Sequence, residues 1–356
     1  MNINEVIANF NFEGDFVGYE PFGGGHINDT YALTFLQNGK PHRYVLQRVN
    51  NKIFKDIAGL MGNIIGVTKH VGTAIAKEGG LVERETLRFL QAKNGEYYHI
   101  DEDGHYFRSY HLVENAHAFQ KSESAEMFAD AGRAFGAFVR RLNDFDATKL
   151  VEVIPKFHDT ANRLKNFKQA LVDGRAERIV HAQDEIDFVL KRQDYAHRVV
   201  DLLAKGEIPC RVTHNDTKLN NVLFDEKTHR AICVIDLDTI MPGSLLYDFG
   251  DAIRSGCNTG LEDDKDLSLV NFDKALYDAF EGGFLASLGE AVTEKEREML
   301  PFSAILMTYE CGMRFLSDYL VGDTYFKTKY DDHNLVRART QFKLVADMER
   351  VFGINA

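Results

Sequence analysis

The densest polar chemistry in the sequence lies between residues 211 and 251. It runs Thr213-His214-Asn215-Asp216-Thr217-Lys218-Leu219-Asn220-Asn221, then the apolar Val222-Leu223-Phe224. A polar stretch from Asp225 to Arg230 follows, then Ala231 to Ile235 and Asp236-Leu237-Asp238-Thr239. Two short apolar runs joined by a polar turn predict an antiparallel hairpin. Asn221 precedes its first strand and Asp236 follows its second, so these ends lie side by side, with facing Cα atoms roughly 4.5–5.5 Å apart. One amide oxygen and one carboxylate then meet. That suits Mg2+, which takes oxygen ligands, keeps several waters and shares substrate phosphates. Asp216 sits on the loop leading into the same end.

His214, Asp216 and Asn221 also fill H-x-D-x-x-x-x-N, the spacing of the phosphotransfer loop in protein-kinase-like enzymes. In that scheme the Asp accepts or orients the substrate hydroxyl, while the Asn and a later Asp hold magnesium. Asp216 is therefore the candidate base, and Asn221 and Asp236 are the candidate metal ligands. Lys218 is placed to neutralise the transferring group, although a solvated lysine fits the same position. His214 reads as a packed, hydrogen-bonded scaffold residue. Asp248-Phe249-Gly250 spells the kinase magnesium motif, but it falls past the hairpin and past Pro242-Gly243. Asp248 and Asp251 read instead as supports that hold the loops by hydrogen bonds.

Other pieces lie elsewhere in the chain. Gly23-Gly24-Gly25-His26-Ile27-Asn28 precedes a strand, and glycines let backbone donors approach phosphates closely. Gly24, Gly25 and Asn28 are thus candidate nucleotide contacts, and His26 and Asn28 could reach the substrate. The third-strand position where kinases carry a phosphate-pairing lysine falls on Gln47. A glutamine forms no ion pair, so anchoring would lean on magnesium and backbone donors. Arg43 and Arg48 are candidate substitutes, although strand alternation points Gln47 and these neighbours to opposite faces. Arg314 lies on an otherwise apolar stretch, where an arginine needs a partner. It is either an i,i+4 ion pair with Glu310 or a contact for substrate or phosphate.

The elements that must position these residues divide the chain. At 356 residues it exceeds the roughly 250–300 at which single cores stop growing, so two lobes are expected. The first third reads as strands around one helix. Strands are expected at Tyr31–Phe35 and Arg43–Val49, with an Asn38-Gly39 turn, and a helix over Lys55–His70. A hairpin joins Tyr97–Ile100 to Tyr106–Val113 across an acidic turn. Beyond Val113 the pattern is helical: Met127 to Leu142 along one face, a Thr293/Glu296 capping box, a buried helix over Phe302–Leu320, and a final helix capped by Asn334. The expected class is α+β, bilobal, with a nucleotide-binding lobe at 1–113 and a mainly helical catalytic and substrate-binding lobe at 114–356. The acidic clusters Asp184–Asp187 and Glu262–Asp266 read as solvated surface.

Charge and composition exclude some roles. A net charge of −12 repels phosphate backbones and anionic membrane surfaces, so neither nucleic acid nor membrane is an expected partner. The four cysteines show no paired spacing, no signal-like start is visible, and no apolar run approaches a membrane span. A cytoplasmic monomer or small homo-oligomer is expected.

Taken together, Thr213-His214-Asn215-Asp216, Asn221, Ile235-Asp236-Leu237-Asp238 and Asp248 resemble the aminoglycoside phosphotransferase and choline kinase superfamily. Four runs make the chain similar to the N-acetylhexosamine 1-kinases within it: Gly25 to Asn28, Val212 to Asp251, Glu310 to Leu316 and His333 to Arg337. The match runs from about Glu20 to about Met348. The resemblance implies a protein-kinase-like fold, ATP and Mg2+ as cofactors, and phosphorylation of the anomeric hydroxyl of N-acetylglucosamine or N-acetylgalactosamine. It implies Asp216 as base or hydroxyl-orienting group, and Asn221 and Asp236 on magnesium. It further implies His26, Thr239, Arg314 and Tyr325 in the sugar pocket, and Tyr110 and Leu112 in a hinge that meets adenine. The rival readings are a kinase of another small alcohol, of aminoglycoside, choline or homoserine type, and a catalytically inactive nucleotide-binding module. A choline site calls for an aromatic cage, and the chain has no tryptophan.

Overall fold

The computed structural model describes residues 3–23 and 27–354. A short helix, α1 (Ile3–Ala8), leads into strands β1 (Asp15–Pro21), β2 (Asp29–Gln37) and β3 (Lys40–Val49). Helix α2 (Ile57–Lys77) and a single turn, α3 (Val82–Glu85), precede β4 (His99–Ile100) and β5 (Tyr106–His111). The strands form one antiparallel sheet in the order β1-β2-β3-β5-β4. Asn38 and Gly39 both take positive φ, 51° and 75°, the conformation that a tight turn between twisted strands requires. Leu33, Phe35, Tyr44, Leu46 and Phe107 bury one sheet face against Val6 and Phe10 of the N-terminal segment. The sequence pattern did not anticipate α1 or α3, which are too short for a helical period to register.

Beyond β5 come β6 (Ala116–His117) and the helices α4 (Ala125–Arg141), α5 (Thr160–Asp173), α6 (Ala176–His181), α7 (Gln183–Lys191) and α8 (Tyr195–Ala204). The polar stretch contributes β7 (Arg211–Thr213), β8 (Val222–Asp225), β9 (Ala231–Val234) and β10 (Met241–Gly243). Helices α9 (Leu245–Gly256), α10 (Lys274–Leu288), α11 (Glu294–Val321) and α12 (His333–Phe352) complete the chain. The architecture is a two-lobed α+β fold: an antiparallel-sheet N-terminal lobe on a mainly helical C-terminal one. Helix α2 belongs to both. Its Ile57, Leu60, Ile64, Val67, Val71 and Ile75 sink into the same core as Phe135 of α4 and Leu246 of α9. That core orients the sheet over the polar loops.

Long helix α11 is the spine of the second lobe. Thr293 caps it in the expected box with Glu296, and Glu296 also holds buried Arg211 of β7, at 2.7 Å. It starts eight residues before the apolar run because its first two turns are amphipathic. One expectation fails here and another holds only in part. Asn334 does not cap α12, since the helix begins at His333. Asn334 lies buried inside the first turn and donates to Asp318 Oδ2 (2.9 Å) and Asp323 Oδ1 (2.8 Å). The acidic clusters are solvated only in part: Asp184, Asp187, Glu262 and Asp266 are exposed as expected, but some members carry ion-pair partners. Glu185 accepts from Arg339 (2.7 Å), Glu262 from Arg254 (3.3 Å), and Asp263 lies 3.0 Å from His333 Nε2. Arg254 and Arg339 on neighbouring helices need these counter-charges and His333 a hydrogen-bond partner, demands that local sequence does not display. Among the described residues no helix is long and apolar enough to cross a membrane.

Candidate active site

The expected hairpin is present. Val222 pairs with Val234 in β8/β9, and the Ile235 amide donates to Asn221 O at 2.9 Å. Asn221 and Asp236 therefore flank the open end of one hairpin. Asn221 Nδ2 donates to Asp216 O (2.7 Å) and to Asp216 Oδ2 (3.0 Å). Its Oδ1 is left without a donor among the described residues. Lys218 Nζ lies 2.8 Å from Asp216 Oδ1. Burial acts to lower the Lys218 pKa, but the Asp216 charge and hydrogen bond and the Asp251 charge outweigh it, and the net shift is upward. Asp216 is thus gripped by one amide and one ammonium, with its carboxylate partly open to solvent.

Asp236 takes a left-handed conformation, φ 59° and ψ 62°, which Asp tolerates better than most side chains. It has no hydrogen-bond or ion-pair partner among the described residues. The side chain opens to the cleft but is crowded from the protein side. That crowding, then the facing carboxylates of Asp238 and Asp216, push its pKa up to about 6 against the pull of His214 and Arg108. An unpartnered carboxylate repelled by two others, beside a free amide oxygen, fits a hard divalent cation.

The loops around this point are held by buried hydrogen bonds. Asp248, on the first turn of α9, accepts from the amides of His214 (2.9 Å) and Asn215 (2.7 Å). Asp251 Oδ2 accepts from the Thr217 amide at 3.1 Å. Gly250 follows Asp248 because α9 presses on α11, where a Cβ would lie 2.3 Å from Ser303 O. The Asp-Phe-Gly spelling is a packing arrangement here. Buried His214 has one ring nitrogen 2.9 Å from Ile235 O, and the other accepts from the Asp216 amide at 3.3 Å. Phe135 and Phe138 pack edge-on against its ring. Both nitrogens are occupied, which suits a scaffold. Thr239 Oγ1 donates to His214 O (2.7 Å) and its carbonyl accepts from Asn215 Nδ2 (2.8 Å). Its hydroxyl proton is therefore committed to the loop, and only its lone pairs remain for a ligand.

The N-terminal lobe faces these loops through residues that sequence reasoning only partly found. Asn28 Nδ2 donates to Asp238 Oδ2 (2.7 Å), and its Oδ1 accepts from the Asn50 amide (3.0 Å). Gly24, Gly25 and His26 lie outside the described residues. Gln47 Oε1 accepts from Arg108 Nε (2.9 Å), and Gln47 Nε2 donates to Thr30 Oγ1 (3.2 Å). Neither Arg43 nor Arg48 replaces the missing lysine. Alternation turns only Arg48 off the Gln47 face, where it pairs with Asp29 near the surface. Arg43, four residues from Gln47, shares its face against the expectation, but it sits two residue pairs further along the strand and is tied to Glu114. The cation beside Gln47 is Arg108 of β5, directly opposite it in the β3/β5 register and 2.5 Å from Asp238 Oδ1. Sequence reasoning missed it, and the available signal was one arginine amid Tyr106-Phe107 and Tyr110. Tyr110 is paired with Val45 in the sheet. The Leu112 amide donates to Arg43 O at 3.0 Å, so at Leu112 only the carbonyl can meet a base edge.

Arg314 sits beside a second buried cluster. Glu310 lies 3.1 Å from His158 Nδ1, 3.9 Å from Arg163 and 4.0 Å from Arg314. Burial would raise the Glu310 pKa, but His158, Arg314 and Arg163 hold it below the ordinary value. Burial and neighbouring Arg314 pull Arg163 down. His158 Nε2 lies 3.5 Å from Asn215 O, the residue before Asp216, so the cluster abuts the catalytic-type loop. The Arg314 guanidinium covers the rings of Phe157 and Phe326, at 5.7 and 5.6 Å. Tyr325 is 72% exposed, edge-on to Phe326.

A model of the phosphotransferase enzyme family matches residues 18–282. Among solved structures, an aminoglycoside phosphotransferase from Alicyclobacillus acidocaldarius is 14% identical, with 98% of this chain and 96% of that one covered and a TM-score of 0.61. A spectinomycin phosphotransferase in complex with ADP and spectinomycin is 13% identical, with 99% and 97% covered and a TM-score of 0.54. A choline kinase from Cryptosporidium parvum is 12% identical, with 94% and 89% covered and a TM-score of 0.55. At these identities the likeness to solved structures is one of fold.

Proposed function

The chain belongs to the phosphotransferase enzyme family, and from that premise we propose that it transfers the γ-phosphoryl group of Mg–ATP to the anomeric hydroxyl of an N-acetylhexosamine. N-acetylglucosamine and N-acetylgalactosamine are the acceptors, and the product is the sugar 1-phosphate. The observation that carries this reading is the meeting of Asp216, Asn221 and Asp236 at one hairpin end, where Asn221 Oδ1 and the Asp236 carboxylate have no partner among the described residues and the Asp216 carboxylate stays partly open to solvent.

In this mechanism Asp216 takes the proton of the acceptor hydroxyl as its oxygen bonds to phosphorus, and ADP leaves on the opposite side. Asn221 Nδ2 and Lys218 Nζ fix the Asp216 carboxylate by a hydrogen bond and an ion pair. Asn221 Oδ1 and Asp236 would hold magnesium, whose charge would stabilise the phosphates. His214, Asp248 and Asp251 keep the loop rigid, so that positioning supplies much of the barrier reduction.

The charge of the neighbouring cluster supports a neutral acceptor. Arg163 and Arg314 share the single Glu310 carboxylate, so a polycationic or quaternary ammonium acceptor would meet two guanidiniums. Arg314 also covers the Phe157 and Phe326 rings, which removes those faces from any cage for a quaternary amine.

The test is phosphorus NMR of the purified protein with Mg–ATP and each sugar, with Asp216→Asn as control. An acceptor-dependent sugar 1-phosphate resonance, absent from the control, is expected. No product from either sugar would remove the hexosamine assignment and leave a phosphotransferase of another alcohol.

A further inference from the structure

We propose that Arg108 is the cation that anchors the phosphate chain of the nucleotide, an inference that rests on reading the cleft as a Mg–ATP site. In protein kinases a third-strand lysine pairs the phosphates and is itself held by a glutamate on the following helix. Both ends of that pair are missing from this chain. Gln47 occupies the strand position, and α2, from Ile57 to Lys77, carries no acidic residue. The two absences match: without the lysine, a buried carboxylate on α2 would have no partner.

Arg108 supplies the charge from the adjacent strand. It faces Gln47 across the β3/β5 ladder, and its Nε donates to Gln47 Oε1 at 2.9 Å. That bond aims the guanidinium out of the sheet toward the turn carrying Asp236 and Asp238. Its side chain is only 3% exposed, and Nη1 reaches within 2.5 Å of Asp238 Oδ1. Yet this contact lacks hydrogen-bond direction: Arg108 Nη1 and Asp238 Oδ1 are both buried with no hydrogen-bond partner. Nη2 has none among the described residues either. The guanidinium is thus ion-paired to Asp238 through Nη1 without hydrogen-bond alignment, and Nη2 is unpaired, so a buried cation keeps donor capacity that a ligand could complete.

Phosphate oxygens complete it well. Guanidinium and phosphate meet in paired, charge-assisted hydrogen bonds. The charges agree with that assignment. Asp236 and Asp238 place two carboxylates against the one guanidinium, and Asp238 already accepts from Asn28. A cation bound at Asp236 would relieve the excess negative charge and free the amino groups of Arg108 for the nucleotide. Gln47 then keeps a role as the residue that orients Arg108.

The alternative is that Arg108 is a strut between lobes and touches no ligand. Calorimetry with Mg–ATP and with adenosine separates the two, using wild type, Arg108→Met, Arg108→Lys and Gln47→Lys/Arg108→Met. The phosphate role predicts that Arg108→Met weakens Mg–ATP binding by roughly 10- to 100-fold, the worth of charged hydrogen bonds, with adenosine affinity unchanged. Arg108→Lys, which keeps the charge without the fork, should fall between, and a lysine at position 47 should recover part of the loss. Equal weakening of adenosine and Mg–ATP would show a strut and overturn the proposal. So would unchanged Mg–ATP affinity in Arg108→Met. Should Arg108→Met fail to fold, Arg108→Lys decides alone, by whether Mg–ATP weakens while adenosine does not. A wild-type protein that binds no Mg–ATP would overturn the underlying site reading, and this inference with it.

Discussion

Replacing Asp248 by asparagine tests how the loops are held and where the metal sits. Asp248 is 2% exposed, and both oxygens accept backbone amides. Burial raises its pKa to about 6, against the pull of His214 and those two amides. In the unfolded chain the group titrates near its ordinary value, so the folded state holds the proton more tightly. Stability from this group is therefore fully present at acid pH and is lost as pH rises through about 6. Linkage puts the loss at about 1 kcal/mol by pH 4.5 and about 3 kcal/mol by pH 7. Asparagine has no such titration. It also has one acceptor oxygen for two amides, a pH-independent cost of about 1–3 kcal/mol. The variant should therefore gain about 2 kcal/mol relative to wild type between pH 4.5 and pH 7. Denaturant unfolding of both proteins at the two pH values measures this, since the other titrating groups are common to both. A difference that stays flat refutes the buried-charge argument. Magnesium-dependent nucleotide binding should survive in the same variant, because neither Asp248 oxygen is free for a metal. Its selective loss in a folded variant would move the metal to the Asp-Phe-Gly aspartate.

Other expectations follow from single contacts. Asp236→Asn keeps a side chain that tolerates the left-handed backbone, and it should abolish the gain in ATP affinity that magnesium confers; unchanged calorimetric affinity with magnesium present would contradict the assignment. Arg211→Leu strips the partner from fully buried Glu296 and should cost about 3–5 kcal/mol of unfolding free energy, whereas a loss under about 1 kcal/mol would show that the pair is dispensable. Gly136→Ala places a Cβ 2.3 Å from Phe284 O, where α4 and α10 touch backbone to backbone, and should cost about 1–3 kcal/mol. Gly18→Ala, with nothing within 4 Å, is its control in the same thermal melt, and equal melting points would refute the close-packing argument.

The hairpin end was legible because its parts are local. Asn221, Asp236 and the two apolar runs between them lie within one supersecondary unit, so pattern alone brings them together. The scaffold reading of His214 and the supporting reading of Asp248 were legible for a related reason: glycine and proline after the hairpin put Asp248 out of reach of its end. Arg108 was not legible. Its role depends on a partner 61 residues away in the sheet register and on Asp238 from the other lobe. Glu262 and Asp263 looked solvated for the same reason, since Arg254 and His333 come from separate helices. Asn334 misled as a cap because its type suits caps, while the buried Asp318 carboxylate that claims it is invisible locally.

The missing lysine–glutamate pair has a mechanical consequence. Where such a pair exists, moving the helix moves the phosphate-binding cation, so helix position can switch the site. Here α2 and Arg108 are fastened separately. Helix α2 is tied to the C-terminal lobe by Asn63, whose Nδ2 donates to Val151 O (2.8 Å) and Ile240 O (2.9 Å) while its Oδ1 accepts from the Val151 amide (3.0 Å). That amide is satisfied on both sides by neutral groups, so neither nucleotide charge nor magnesium disturbs it. Arg108 is tied instead to Gln47 and Asp238, which lie on the sheet and on the turn that carries Asp236. Displacing α2 strains the Asn63 contacts and the shared core, but among the described residues no ion pair links it to Arg108. Among the described residues, Arg108 and Asn28 of the N-terminal lobe both converge on Asp238 of the C-terminal lobe. Separating the lobes at this point would break both contacts to that carboxylate, which stands two residues from Asp236.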